Sequence, residues 1–550
     1  MSFSAKKLQA PHSQFYSAGR DQIINYTNSC EWCWFIRWLS LRDPLKSASV
    51  FDILEKHTAI HAAYNSRERE SEHASTCQEG TRKDVIEKIS AWSRTNNDCP
   101  VCWLQGPAGS GKSTVAHTIA KQCADDQKLA FSFFFSRSKL DRSDTTKFIP
   151  TFAYQLAKSF PAIQMSMLRA LSDDPSIPSQ RLSDQIKKLI IDPILTTAES
   201  IPSMIVVIDG LDECGDALLQ ELIRLLVGTT NHLLPFRFLF TSRFETHIRQ
   251  IFESRSTISK TYILALRDYN ARDDIRRYLR LHLSEIRETE NQLMRDEPRR
   301  WPSREDLETL VDKSEGLFIY VSTLVKFVAD KNGLPQQKLQ TAMTMHRGVD
   351  PLYDQVLSEA RKFEYFERVI GAIIFLRRPL TVGEVGQLLQ LPSNSIRLAL
   401  YGCQSVLTIP DIDTESVRPC HASLRDFLID GSRAKGHFLD PMKHHVLILV
   451  DCLKLIMTNM ENGAEGGGHL DYACQNWCHH FSLVLLHQGS IGFIKSCFGD
   501  EVVTFIKNME KQWSKPWMYK LGGFSAVETV CGDCDSVLAR MVVSGMFTEL

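Results

Sequence analysis

Two kinds of apolar pattern divide the chain. Between residues 101 and 266, five short apolar runs recur: Val101–Leu104, Leu129–Phe135, Met204–Ile208, Phe236–Phe240 and Tyr262–Leu266. Runs of this kind suit strands buried on both faces, where no residue needs to meet water. Between them, Val115–Ala120, Phe148–Phe160, Ile163–Leu171 and Gln185–Ile191 read as helices. Strand and helix in alternation predict a parallel sheet with helices on both faces, an α/β class.

Past Arg267 the grammar changes to helix alone. Asp273–Leu283 and Leu307–Asp312 are amphipathic, and Gly316–Ala329 is apolar enough to be a core helix, though Lys326 and its length rule out a membrane span. Then come helices at Phe366–Leu376, at Thr381–Leu389 (Thr381 and Glu384 having capping-box spacing) and at Ser395–Leu400. Two short strands near Val406–Ile409 and Val417–Cys420 and a helix at Ser423–Ile429 follow. Three helices and a two-stranded ribbon describe a winged helix. Its third helix carries only Arg397 as a cation, too few for phosphate contacts, so DNA binding is not expected of it. Helices at His445–Met457 and Tyr472–Leu485 flank a glycine-rich connector, Gly463–Gly468.

Ahead of the α/β pattern, residues 1–29 hold few large apolar side chains. Ile23, Ile24 and Tyr26 suit one strand that pairs with a partner. Trp34, Phe35, Trp38, Leu39, Val50, Ile53 and Leu54 suggest one or two helices. A polar connector over 65–80 leads to a helix at Lys83–Trp92, with Thr81 as its expected N-cap. The expected division is therefore 1–78, an N-terminal segment and connector; 79–268, the α/β domain; 269–348, a helical domain; 349–437, the winged helix; and 438–550, a helical region.

Composition narrows the class only slightly. The 550 residues carry a net charge of −1, which gives no overall field toward nucleic acid or anionic lipid. No apolar run is long enough to cross a bilayer, and the N-terminal residues lack a signal-peptide core. Fifteen cysteines without a repeating frame suit reduced thiols in the cytoplasm. The pairs Cys30/Cys33, Cys99/Cys102 and Cys531/Cys534 and the cluster Cys474, Cys478, His479, His480 have metal-like spacing, but packing is the better reading for them.

The chemistry lies at the strand ends. The run Gly106-Pro107-Ala108-Gly109-Ser110-Gly111-Lys112-Ser113-Thr114 follows the first strand and opens a helix, the context of a phosphate-binding P-loop. Its glycines let backbone N–H groups converge on phosphate oxygens, and the helix N-terminus adds partial positive charge. Lys112 can reach the β- and γ-phosphates, and the Ser113 hydroxyl can ligate Mg²⁺. The third strand ends in Asp209, expected to hold Mg²⁺, followed by Gly210, Asp212 and Glu213; either of the latter acids could activate water. Arg243, at the end of the fourth strand, can read a γ-phosphate.

Taken in order, GPAGSGKST, VVIDGLDEC, FLFTSR, EGLFIY and CHASLRDFL resemble the NACHT-type signalling NTPases of the STAND class, within it the fungal group with a nephrocystin-like N-terminal region. The resemblance implies that Arg243 is the sensor arginine, that Arg82 lies in the motif beside adenine, and that His421 contacts the β-phosphate of ADP. It also implies a switch run by ATP and ADP: closed with ADP, open and self-associating with ATP, with slow hydrolysis and an unidentified protein partner or trigger. Members of the group often continue into WD or ankyrin repeats, and no repeat is legible here. A stand-alone P-loop NTPase or kinase and a nucleotide-locked scaffold that never turns over are the alternatives.

Overall fold

The computed structural model describes residues 49–485 apart from 68–75, 96–98, 138, 198–201, 231–233, 256, 296, 299–300, 411, 414 and 462–467. The strand expected at Ile23–Tyr26, the helix around Trp34–Leu39, and the pairs Cys30/Cys33 and Cys531/Cys534 lie outside the described residues.

The α/β body contains five parallel strands: β1 (Val101–Gln105), β2 (Leu129–Phe134), β3 (Met204–Asp209), β4 (Phe236–Ser242) and β5 (Thr261–Ala265), in the spatial order β2-β3-β4-β1-β5. Each strand pairs along its length; Val101 lies opposite Phe238 on one side and Thr261 on the other. Side chains alternate between two cores. Val101, Trp103, Phe131, Phe133, Val206, Ile208, Phe238 and Phe240 face one, together with Val50, Leu54, Ala59 and Ala62 from the segment before the sheet. Cys102, Leu104, Phe134, Ile205, Val207 and Leu239 face the other. Burial on both faces is the physical reason for the unbroken apolar runs.

Helix α1 (Val50–Leu54) belongs to the first core, and the Ala59 N–H donates to Thr151 Oγ1 at 2.8 Å. Helices α2 (Lys83–Arg94) and α3 (Lys112–Asp125) cover the second core. Helices α4 (Phe148–Ser159), α5 (Pro161–Asp173) and α6 (Leu219–Thr229) cover the first, and α7 (Thr246–Phe252) joins β4 to β5. A π-helical turn at Lys187–Ile191 interrupts the helical layer that the sequence reads as continuous.

The remainder shares a single apolar core running from Ala271 to Ala473. It comprises α8 (Arg272–Thr289), α9 (Arg304–Lys313), α10 (Phe318–Ala329), α11 (Pro335–Thr344) and α12 (Asp350–Ala360), then α13 (Phe366–Phe375), α14 (Val382–Leu389) and α15 (Ser393–Ala399). The ribbon β6 (Leu407–Thr408) and β7 (Arg418–Pro419) is antiparallel and shorter than the sequence suggests. Helix α16 (Ala422–Leu428) follows it, and α17 (Pro441–Glu461) and α18 (Gly468–Leu485) form a hairpin. The capping box at Thr381 and Glu384 is present in full. The fold is thus an α/β P-loop sheet followed by helical regions. No described helix is long and apolar enough to cross a membrane.

Candidate functional site

The glycine loop leaves β1 at Gly106, whose N–H donates to the Ser242 carbonyl at 3.3 Å. Gly109 and Gly111 have φ of 72° and 92°, a region that costs a side-chain-bearing residue about 1–2 kcal/mol. Gly111 is also the N-cap of α3, so the loop runs directly into a helix N-terminus. Lys112 is buried, and its Nζ donates to the carbonyls of Gly106 and Pro107, both at 2.9 Å. Burial lowers its pKa; the carboxylates of Asp212 and Asp209 oppose that shift. Ser110 is buried, Pro107 and Ser113 are exposed, and Ala108 and Thr114 lie between those limits.

The acids converge on the same end of the sheet. Asp209 closes β3 and is buried; its Oδ1 accepts from Thr241 Oγ1 at 2.5 Å, and that hydroxyl accepts from the Gly210 N–H at 3.1 Å. Gly210, at φ 74°, turns the chain into the short turn Leu211–Glu213. Asp212 is buried, and both of its oxygens are taken by Arg243: Oδ1 accepts from the backbone N–H and Oδ2 from Nε, each at 2.9 Å. The carbonyl of Asp212 accepts from Arg137 Nε at 3.2 Å. Glu213 is half-buried. Desolvation, with the negative charges of Asp212 and Asp209, pushes its carboxyl up to about 7.

Arg243 has a second carboxylate partner. Its Nη1 donates to Asp426 Oδ2 of α16 at 2.5 Å. Helix α16 begins at His421, whose Nδ1 accepts from the Ser423 N–H at 3.0 Å and fixes the imidazole as the helix cap. Ser423 Oγ is itself 2.8 Å from Tyr353 Oη. Burial first, then the positive charges of Lys112 and Arg243, drive the His421 pKa down to about 4. The histidine therefore sits in the field of the loop lysine despite their distance in sequence.

Arg82 also bonds the loop. It is buried, with φ 54°, and takes the N-cap position of α2 that the sequence assigns to Thr81. Thr81 instead turns its hydroxyl to the Gln78 carbonyl at 2.7 Å. Arg82 Nη2 donates to the Ser110 carbonyl at 2.8 Å, its backbone N–H donates to Asp274 Oδ2 of α8 at 3.0 Å, and its guanidinium lies 5.0 Å from the Phe318 ring. Next to Phe318, the Ile319 N–H donates to the Gly109 carbonyl at 3.1 Å.

The segment that carries the loop, the three acids and Arg243 matches one known family. Residues 75–243 match the description "Nephrocystin 3, N-terminal". No curated protein matches the chain. Among solved structures, a STAND protein with a tetratricopeptide repeat sensor from Pyrococcus horikoshii is 12% identical. It covers 76% of this chain at a TM-score of 0.37, and the chain spans about half of it, 51%. A Walker-type ATPase of Pyrococcus abyssi is 13% identical, covering 64% of this chain and 97% of its own at a TM-score of 0.34. Drosophila ORC bound to DNA is 14% identical, with coverages of 66% and 97% and a TM-score of 0.30.

The matched segment ends at Arg243, the residue that reaches Asp426. The structure brings Asp426, Thr241, Arg137 and Asp274 to the residues expected from the motifs, and the sequence singles out none of these four. Asp426 lies five residues beyond His421, and that spacing was the one available signal. Thr241 immediately precedes the Ser242-Arg243 pair and could have been read as the partner of Asp209. Cys102 is buried and Cys99 partly so, in keeping with packing. Among the described residues no cluster of three potential ligands could hold a metal by protein groups alone.

Proposed function

We propose that this chain is a nucleotide-controlled switch of the NACHT and STAND class, which binds ATP and ADP with Mg²⁺ and hydrolyses ATP slowly. The residues present fit that ligand. The left-handed Gly109 and Gly111 and the α3 N-terminus form an anion cradle, Lys112 stands at its base, and Ser113 lies exposed on the first helical turn. Ser113 and Asp209 would hold Mg²⁺, which usually takes one or two protein ligands together with phosphate oxygens and water. The ion supplies neutralisation of phosphate charge. Of the two acids, Glu213 is the better base, because Asp212 is committed to Arg243 at both oxygens. Gly106 to Thr114 and Arg82 would surround the nucleotide, with His421 toward its β-phosphate.

The observation that carries the switch reading is the shared guanidinium of Arg243, held by Asp212 at the sheet and by Asp426 of α16. A cation needed for a γ-phosphate is bonded to a helix outside the sheet, the arrangement expected of a closed, ADP-type state. We read 79–268 as the NTPase domain, 269–348 as the helical domain, 349–437 as the winged helix and 438–550 as a helical region. In the ATP state the chain would open and self-associate in the cytoplasm, under a protein trigger.

The test is the nucleotide that copurifies with the protein, identified by mass spectrometry, together with sedimentation of the same sample in ADP and in a slowly hydrolysed ATP analogue. Bound ADP and a larger species only in the analogue are expected. Failure to bind either nucleotide at millimolar concentration would remove the reading.

A further inference from the structure

Far from the glycine loop, the hairpin of α17 and α18 buries a chain of hydrogen bonds. The Arg377 N–H donates to Tyr472 Oη at 3.0 Å; Tyr472 Oη lies 2.8 Å from His480 Nε2; and His480 Nδ1 lies 2.9 Å from His445 Nδ1. Tyr472 and His480 are fully buried, and His445 is partly so. An amide can only donate, so the tyrosine oxygen accepts from Arg377. With both rings neutral, one proton lies in each link: the Tyr472 hydroxyl donates to His480 Nε2 and His480 Nδ1–H to His445 Nδ1, or the same chain runs in reverse.

Two added protons have no place in this chain. With both rings protonated, Nδ1–H of His445 faces Nδ1–H of His480. Among the described residues the surroundings offer no full compensation. Arg377, which follows α13, and Arg425 on α16 both act on these rings with positive charge, as do His444 and His479 when protonated. Of the acids nearby, Glu367 pairs with Lys443 at 3.2 Å and Glu384 on α14 with Arg378 at 3.6 Å; Asp451 pairs with Arg368 at 2.7 Å, but burial raises its carboxyl to about 6, so it takes up a proton in the docked hairpin near that pH and partly offsets the imidazoles. Asp440 bears on His444, which stacks on Phe375 at 5.4 Å, and Asp471 is exposed on the first turn of α18. Cys452 and Cys474 are thiols raised by burial and offer no charge. A metal shared by the two imidazoles would need a third ligand, and no such cluster is present among the described residues.

We propose that His445 and His480 make the α17–α18 hairpin a proton-sensitive latch, docked on α13 and α14 while both rings are neutral and released when they are protonated. The latch does not depend on the nucleotide reading. Burial lowers the His445 pKa to about 4 and that of His480 well below 6.5, so the docked hairpin binds fewer protons than the released one. Docking is therefore complete above pH ~6.5 and weakens as pH falls from there toward 4. For released imidazoles near 6.5, the step from pH 7.5 to 5.5 shifts the opening equilibrium about tenfold per ring, about a hundredfold for the pair. Because α16 faces His445 through Arg425, the helix that carries His421 and Asp426 borders the same latch.

Hydrogen exchange on the full chain tests it. After correction for the intrinsic pH dependence, protection of the described amides of α17 and α18 should fall about tenfold or more between pH 7.5 and 5.5, His479 adding to the pair and Asp451 partly offsetting it, while β3 and β4 change less than about threefold. A fall of less than about threefold in the hairpin of the wild-type protein overturns the latch. So does a His445→Asn/His480→Gln protein that keeps the full wild-type response, since the protons would then bind elsewhere. The measurement needs no nucleotide, so its failure leaves the site reading untouched.

Discussion

The backbone N–H of Ile319 donates to the carbonyl of Gly109 at 3.1 Å, which docks the first turn of α10 on the glycine loop itself. The Ile319 side chain fills the space beside the glycine: a Cβ on Gly109 would lie 2.1 Å from Ile319 Cγ2. Any movement of the loop is thus felt at once by the helical region. Gly109→Ala should cost about 2–4 kcal/mol, from the left-handed backbone and from overlap with Ile319. Denaturant unfolding measures this. A loss under about 0.5 kcal/mol would mean that loop and helix separate freely.

Glu213 yields a pH dependence. A base works through its carboxylate, and this carboxyl is raised to about 7. ATP turnover should therefore fall tenfold per unit as pH drops below 7 and level off above it. Glu213→Gln should reduce turnover about a hundredfold or more and flatten the profile, while ATP still binds. Asp212→Asn/Glu213→Gln should bind ATP with turnover near zero. Wild-type turnover from the double variant would assign water activation to another group.

The sheet was legible because strands buried on both faces must be apolar at every position, and helical layers must not be. The glycine loop was legible because its backbone geometry restricts which residues can stand there. Both signals are local. Contacts across the fold left no such trace. By local pattern alone Arg82 is a helix-start residue, singled out only by the resemblance, and the packing adds its guanidinium between Ser110 and Phe318. Asp426 reads as the polar face of a short helix, and the π-helical turn at Lys187–Ile191 has the same composition as the helix around it. His445 and His480 lie apart in sequence and meet only when the hairpin closes.

Lys112 gives the direct test of binding. Its ammonium is already held at the base of the loop by the Gly106 and Pro107 carbonyls, so little ordering remains when a phosphate arrives. Lys112→Ala removes a hydrogen bond to a charged group, about 1.5–3 kcal/mol, or roughly ten- to hundredfold in ATP affinity. Isothermal titration with ATP and ADP reads this loss. Unchanged affinity for both would take the phosphates away from this loop.

His421 and Asp426 stand one turn apart on α16 and address the site in different ways, so their contributions to closure can be separated. Asp426 acts through charge: it holds Arg243 at 2.5 Å with both side chains about one-fifth exposed. His421 is near neutral at physiological pH, because burial and the charges of Lys112 and Arg243 keep its pKa about 4. It can therefore act only as a neutral hydrogen-bonding group. With Nδ1 occupied by the Ser423 N–H, only Nε2–H is left to donate to a phosphate. If closure limits ADP release, His421→Ala should speed release about ten- to hundredfold, the scale of one hydrogen bond to a charged acceptor. Asp426→Asn should also speed release, but by an amount that shrinks as salt rises, because the Arg243 pair is partly screened and the histidine contact is not an ion pair. Binding of ATP through Lys112 and Ser113 should stay near wild type in both. Stopped-flow release of a fluorescent ADP analogue at low and high salt makes the comparison. Equal release from wild type and both variants would mean that α16 does not clamp the nucleotide, and the closed state would need another lock.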